Sequence, residues 1–201
     1  NLGRVGFMTE LAADDALEAI PSYLEGEVMV EERSMVQAYI LRPDGEEPEA
    51  STPYHALNDV VVGSGGGSRM VALQVKVDGA LLAVYHADGM IVATATGSTG
   101  YALSAGGPII HPMSEEILLK PVATHLGLES ALVLNRDSHI EISVQSPRPA
   151  DLYIDGFVQQ TLDEGTHVNV QASPYKTVFL RKYAPGHYYA TLMKRLGLTA
   201  Y

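Results

Sequence analysis

Two Asp-Gly pairs, Asp78-Gly79 and Asp155-Gly156, each set between apolar runs, constrain the fold of this chain more than any other feature. Val71, Leu73, Val75 and Val77 alternate with Ala72, Gln74 and Lys76 before the first pair, and Ala80 to His86 follows it. That period of two marks a half-buried strand, and Asp-Gly supplies the left-handed backbone pair of a tight hairpin. The second pair repeats the pattern between Leu152-Tyr153-Ile154 and Phe157-Val158. Further strand candidates are 28–41, 56–62, 90–95, 140–145, 167–172 and 177–182. Short strands at this spacing predict a mainly β, sandwich-like architecture. Helices are few. One spans 11–24, where Pro21 is expected to end or kink it, and another spans 188–196, closed by Gly197. The acidic, Pro-rich stretch 43–53 reads as a loop.

Composition removes several function classes. With 46% hydrophobic and 18% charged residues the chain has the means to bury a core. Its net charge of −11 stays negative even with all seven histidines protonated, which argues against nucleic acid as a partner and against a basic membrane-binding surface. The absence of Cys removes disulfides, thiol nucleophiles and Cys-ligated metals, and fits a cytoplasmic protein. No apolar run reaches the roughly 18 residues that span a bilayer, and no leader is expected at Asn1. The charge is uneven: residues 1–50 carry 12 acids and 3 bases, whereas from Lys176 onward there are five bases and no acid.

Few segments offer chemistry. Gly63-Ser64-Gly65-Gly66-Gly67-Ser68 leads into a strand rather than a helix, so it reads as a flexible turn and not a phosphate loop. Thr94 to Pro108 differs: it follows an apolar strand, stacks hydroxyls around glycines, and contains a short helical run from Tyr101 to Ala105. Such a turn presents N–H groups and hydroxyls to a phosphate or ribose, with Tyr101 able to pack on a base; the alternative is a capped Gly-rich turn. Asp88 and Asn58-Asp59 stand at strand ends, where each is a turn former or a partner for ribose hydroxyls and an adenine edge. The histidines show no H-x-x-x-H spacing, so no dedicated metal site is expected. Neither Ser98 nor Ser104 has an evident His partner.

These residues together resemble the C-terminal part of the NAD kinases, the family that phosphorylates the adenosine ribose 2′-hydroxyl of NAD with ATP or polyphosphate. The resemblance runs from Asn1-Leu2-Gly3-Arg4-Val5-Gly6-Phe7-Met8-Thr9-Glu10 through Glu31-Glu32-Arg33, Ala56-Leu57-Asn58-Asp59, Ala87-Asp88-Gly89 and Thr94 to Pro112, and on to Asp155-Gly156. It implies the family's mostly β, NAD-binding domain over 25–184, after an N-terminal loop and helix over 1–24 that links to an α/β domain, with a C-terminal helix over 185–201. It also implies that Asn58 contacts the adenine and Asp59 a ribose, that His86 and Asp88 lie near the second nucleoside, and that Thr96, Thr99, Gly100, Tyr101, Ala102, Leu103 and Ser104 form the dinucleotide-binding turn. Arg69 falls where some members contact the ligand across a subunit interface, and Asp155 and Phe157 complete the implied NAD-binding set. Asp59 replaces the family's usual Glu, Ala95 a usual Pro and Gly100 a usual Ala, while Phe157 stands where several members have Gln. Gln159 is expected on the same strand face as Phe157.

The family's G-G-D-G-T loop, which gathers phosphates and supplies the activating Asp, is not among the 201 residues. The resemblance implies that it belongs upstream of Asn1, and that the chain alone binds NAD or NADP without turnover. A divalent metal such as Mg is then expected only with ATP or polyphosphate in the whole enzyme, with no tightly bound cofactor. A homo-oligomer, dimer or tetramer, is expected from unpaired strand edges. The competing reading is a non-catalytic nucleotide-binding or oligomerisation module. A lipid kinase would want a more apolar acceptor cleft.

Overall fold

The computed structural model describes residues 10–11, 15–26, 28–41, 52–65, 70–125, 128–183, 186–189 and 192. Residues 43–51 of the loop expected at 43–53, Arg69, the Asn1 to Thr9 stretch and most of the helix expected at 188–196 lie outside them. Two compact units divide the chain, Asn1–Glu32 with Val178–Tyr201, and Arg33–Thr177. The smaller holds α1 (Ala16–Leu24), which continues through Pro21 instead of breaking there. The carbonyl that loses its N–H partner to Pro21 belongs to Leu17, a residue 80% exposed to solvent, and the helix stops three residues later.

Two antiparallel six-stranded sheets make up the β structure, as the hairpin signals require. The first has the order β2 (Tyr54–Ala56), β1 (Met29–Leu41), β12 (His167–Arg181), β9 (Ile140–Val144), β4 (Val71–Val77) and β5 (Ala80–Ala87). The second runs β11 (Phe157–Leu162), β10 (Ala150–Ile154), β3 (Asp59–Ser64), β6 (Gly89–Ala93), β7 (Ile117–Val122) and β8 (Leu132–Leu134). Both Asp-Gly pairs are two-residue hairpin turns, closing Val77 on Ala80 and Ile154 on Phe157, with positive φ at Asp78, Gly79, Asp155 and Gly156.

The main core lies between the sheets. Alternate residues of β4 (Val71, Leu73, Val75) and β9 (Ile140, Ile142, Val144) from the first sheet pack with Val60, Val62, Met90, Val92, Ile117 and Leu119 from the second. The second sheet is buried on its other face as well. There Val61, Ile91, Ala93 and Leu118 pack under Ala102 of α2 (Tyr101–Ser104). Double burial explains why β3 and β6 read as continuous apolar runs rather than alternating ones. It also makes this outer face the floor on which the Thr94 to Pro108 segment rests.

Several strands differ from the sequence reading. The strand expected over 56–62 is broken at Leu57-Asn58 into β2 and β3, because each half joins a different sheet. The strands expected at 167–172 and 177–182 are one, β12. β7 and β8 were not anticipated. Lys120-Pro121 hides β7, yet among the described residues β8 pairs with Ile117 to Leu119 and not with Pro121, so the missing N–H of Pro121 takes no ladder bond from β8.

Candidate functional site

The chain leaves β6 at Ala93 directly into the hydroxyl-rich turn, and hydrogen bonds within the turn fix its shape. The Thr94 hydroxyl donates to the Leu57 carbonyl at 2.6 Å and accepts the Gly97 N–H at 3.0 Å. Residues 97–99 form one 3₁₀ turn, and α2 follows at once. Ser98, fully buried, donates to the Ala95 carbonyl at 2.6 Å and accepts the Ile110 N–H at 3.0 Å, so its hydroxyl staples the turn to the returning chain. Thr99 donates to the Thr96 carbonyl at 3.0 Å. The buried Thr96 hydroxyl receives Nη1 of buried Arg33 at 3.1 Å. What the turn leaves outward is Gly100, Ser104 and the ring of Tyr101, which is 48% exposed. Ala102 points down onto the sheet, and Thr99 and Leu103 are half-buried.

Asn58 and Asp59 abut this turn. Asp59 pairs with Ala93 across β3 and β6, and the Thr94 N–H donates to the Asn58 carbonyl at 2.9 Å. The approach is so close that a Cβ at Gly97 would fall on that same carbonyl, so only glycine fits. From the other side the Asp155 carboxylate accepts the N–H groups of Leu57 at 3.0 Å, Asn58 at 2.7 Å and Asp59 at 3.1 Å. Asp155, expected among the ligand contacts, thus has its carboxylate turned to the backbone that carries Asn58 and Asp59. The Asp59 carboxyl is buried, and desolvation first, with the Asp155 charge second, pushes it up to about 6.

His86 and Asp88 lie elsewhere on the sheets. Both are exposed, and the Asp88 backbone bridges β3 and β7, its carbonyl accepting from Ser64 at 2.9 Å and its N–H donating to Val122 at 3.0 Å. The His86 carbonyl accepts the His125 N–H at 2.9 Å. Asp88 therefore flanks the Gly63–Gly89 end of the β3–β6 pair, while Asn58 and Asp59 flank the Asp59–Ala93 end. Five strand steps separate Asp88 from Asp59, roughly 17 Å. Phe157 is 73% exposed beside Ile154, at the Asn58 end. A β-bulge leaves Gln159 without a partner on β10, which interrupts the alternation that would have put it on the face of Phe157.

The structure accordingly gathers Asn58, Asp59, Thr96, Thr99 to Ser104 and Asp155 at one end of the β3–β6 pair and sets Asp88 at the other, with His86 on β5 of the first sheet. Thr94 and Arg33 are supports that sequence reasoning did not single out; a Thr closing a strand before a Gly turn was the available signal for Thr94. Among the described residues no group of three or more His, Asp or Glu side chains converges to hold a metal ion.

The ATP-NAD kinase C-terminal domain family model matches residues 57–182. An NAD kinase of Dehalococcoides mccartyi is 38% identical over 196 residues, covering 98% of this chain and 68% of its own length. One of Burkholderia ambifaria is 42% identical over 198 residues, covering 98% and 64%. Among solved structures, yeast NADH kinase complexed with NADH superposes with a TM-score of 0.87 at 26% identity, over 100% of this chain and 58% of that one. An NAD kinase from Archaeoglobus fulgidus in complex with ATP gives 0.78 at 27% identity, over 100% and 73%. The chain thus spans about two thirds of the length of these relatives.

Proposed function

The chain belongs to the ATP-NAD kinase family through its C-terminal domain, and from that premise we propose that it is the NAD-binding part of an enzyme that phosphorylates NAD to NADP at the adenosine ribose 2′-hydroxyl. The observation that carries the reading is the junction of Asn58 and Asp59 with the Thr94 to Ser104 turn, made by strand pairing, the Thr94 bonds and the close approach of Gly97. Asn58, with both a donor and an acceptor, is suited to an adenine edge, and Asp59 to ribose hydroxyls. Gly100, Tyr101 and Ser104 offer backbone, ring and hydroxyl to the same nucleoside. Asp88, five strand steps or roughly 17 Å from Asp59, with His86 two residues before it at the end of β5, is spaced for the second nucleoside of a dinucleotide. Phe157 rims the Asn58 end, and Arg69 is kept as a contact on the strength of the resemblance alone.

In this reading the chain contributes binding and orientation, and the loop that activates the ribose hydroxyl comes from a G-G-D-G-T segment that these residues lack. ATP or polyphosphate is the donor, with a divalent metal carried on its phosphates. We further place the NAD-binding domain at 25–184, the enzyme in the cytoplasm, and the assembly as a homo-oligomer; no helix of the described residues is long and apolar enough to cross a membrane. The test is a phosphorylation assay. The protein that joins this chain to a G-G-D-G-T segment forms NADP from NAD with ATP and Mg²⁺, and the 201-residue chain does not. Absence of NADP from the longer protein with both ATP and polyphosphate overturns the proposal.

A further inference from the structure

We propose that Asp155 and Thr94 are positioning residues that hold Asn58 and Asp59 in their nucleotide-binding geometry by gripping both sides of one short backbone segment; the inference rests on the proposed NAD-binding role of that segment. The break between β2 and β3 leaves Leu57 and Asn58 outside both strands, where a strand ladder does not set their conformation. Their polar backbone groups are nonetheless taken up. The N–H groups of Leu57, Asn58 and Asp59 all go to the Asp155 carboxylate. The carbonyls of Leu57 and Asn58 go to the hydroxyl and N–H of Thr94, and the carbonyl of Asp59 accepts the Asp155 N–H at 2.9 Å. A carboxylate accepting several N–H donors makes charge-assisted bonds, stronger than the neutral bonds of a ladder.

The grip also joins the two halves of the site. The Thr94 hydroxyl that donates to Leu57 accepts from Gly97, so one oxygen sets the distance between Asn58 and the start of the 3₁₀ turn. Asp155 is placed for its task by the hairpin turn, where its positive φ turns the carboxylate back over the neighbouring strand end. That backbone geometry suits Asn as well as Asp, so Asp155→Asn removes the charge and one acceptor without straining the turn. Thr94→Val removes the hydroxyl at nearly constant volume, and Thr94→Ser keeps it.

The test combines amide hydrogen exchange with NAD titration on the 201-residue chain, well below the melting temperature of every variant. Asp155→Asn and Thr94→Val are expected to speed exchange at Leu57, Asn58 and Asp59 while β4, β5 and β9 keep their protection, and to weaken NAD binding by about tenfold or more. Thr94→Ser is expected to bind within about threefold of wild type, which a loss through general destabilisation does not predict. Wild-type affinity in Asp155→Asn and Thr94→Val overturns the positioning role and leaves the NAD-binding reading standing. A wild-type chain that does not bind NAD while its 57–59 amides are protected overturns that reading, and the positioning role with it.

Discussion

The Asp59 N–H donates to the Asp155 carboxylate at 3.1 Å, so the bond that orders Asp59 also sets two acidic side chains beside each other. Burial is the larger cause of the raised Asp59 carboxyl and the Asp155 charge the smaller. The site thus keeps a carboxylate at neutral pH against a standing cost in the folded state.

That cost has a defined pH window. The folded protein holds the Asp59 proton up to about 6, whereas the unfolded chain releases it near 3.8. Between those values the folded state binds more protons, so this group's contribution to stability falls as pH rises through the window and is level above it. The two-unit shift corresponds to about 3 kcal/mol. Urea denaturation of wild type and Asp59→Asn at pH 4, 5, 6 and 7 checks this: the variant gains on wild type by about that amount across the series. A constant difference contradicts it.

Gly97→Ala tests the contact between the turn and Asn58. The added methyl overlaps the Asn58 carbonyl, which is held by Thr94 and has no free direction to yield. Overpacking of this kind costs about 1 to 3 kcal/mol. The melting temperature is expected to fall, and NAD affinity measured on the fully folded variant to fall with it. Gly106→Ala makes the comparison: it has positive φ and open space around it, so it loses stability through strain while NAD affinity holds.

Asp78 matches Asp155 in sequence context but serves another part of the fold. Its carboxylate accepts the His139 N–H at 2.8 Å and the Ser138 hydroxyl at 3.2 Å, tying the β4–β5 hairpin to the start of β9. Asp78→Asn keeps the turn but weakens these bonds, with an expected loss of about 1 kcal/mol in denaturant melts and no change in NAD affinity. A fall in affinity without a fall in stability contradicts the separation of the two turns.

The parallel between the two aspartates shows what the sequence carried and what it did not. The hairpins were legible because Asp-Gly between apolar runs is a local signal, written within ten residues. The tertiary grip of each carboxylate was not: Asp155 meets Asn58 across 97 positions and Asp78 meets His139 across 61, and nothing near either aspartate names its partner. β7 was missed because Lys120 and Pro121 interrupt its apolar pattern, although Lys120 is buried and its Nζ donates to the Glu129 carbonyl at 2.6 Å. The turn from Thr94 to Ser104 was legible as a motif. Its division into an outward surface at Gly100, Tyr101 and Ser104 and an inward framework at Thr94, Gly97 and Ser98 depends on which face meets the sheet, and only the fold supplies that.

The most direct test of the account is calorimetric titration of NAD into the chain and its Asn58→Ala and Asp88→Ala variants, beside their melting temperatures. These residues flank opposite ends of the β3–β6 pair, so a shared loss of affinity requires one ligand long enough to reach both. The account predicts saturable binding by wild type, and affinity about 5- to 150-fold weaker in each variant with melting temperatures unchanged, as expected for a lost ligand hydrogen bond. Absence of NAD binding by wild type, or wild-type affinity in both variants, contradicts it.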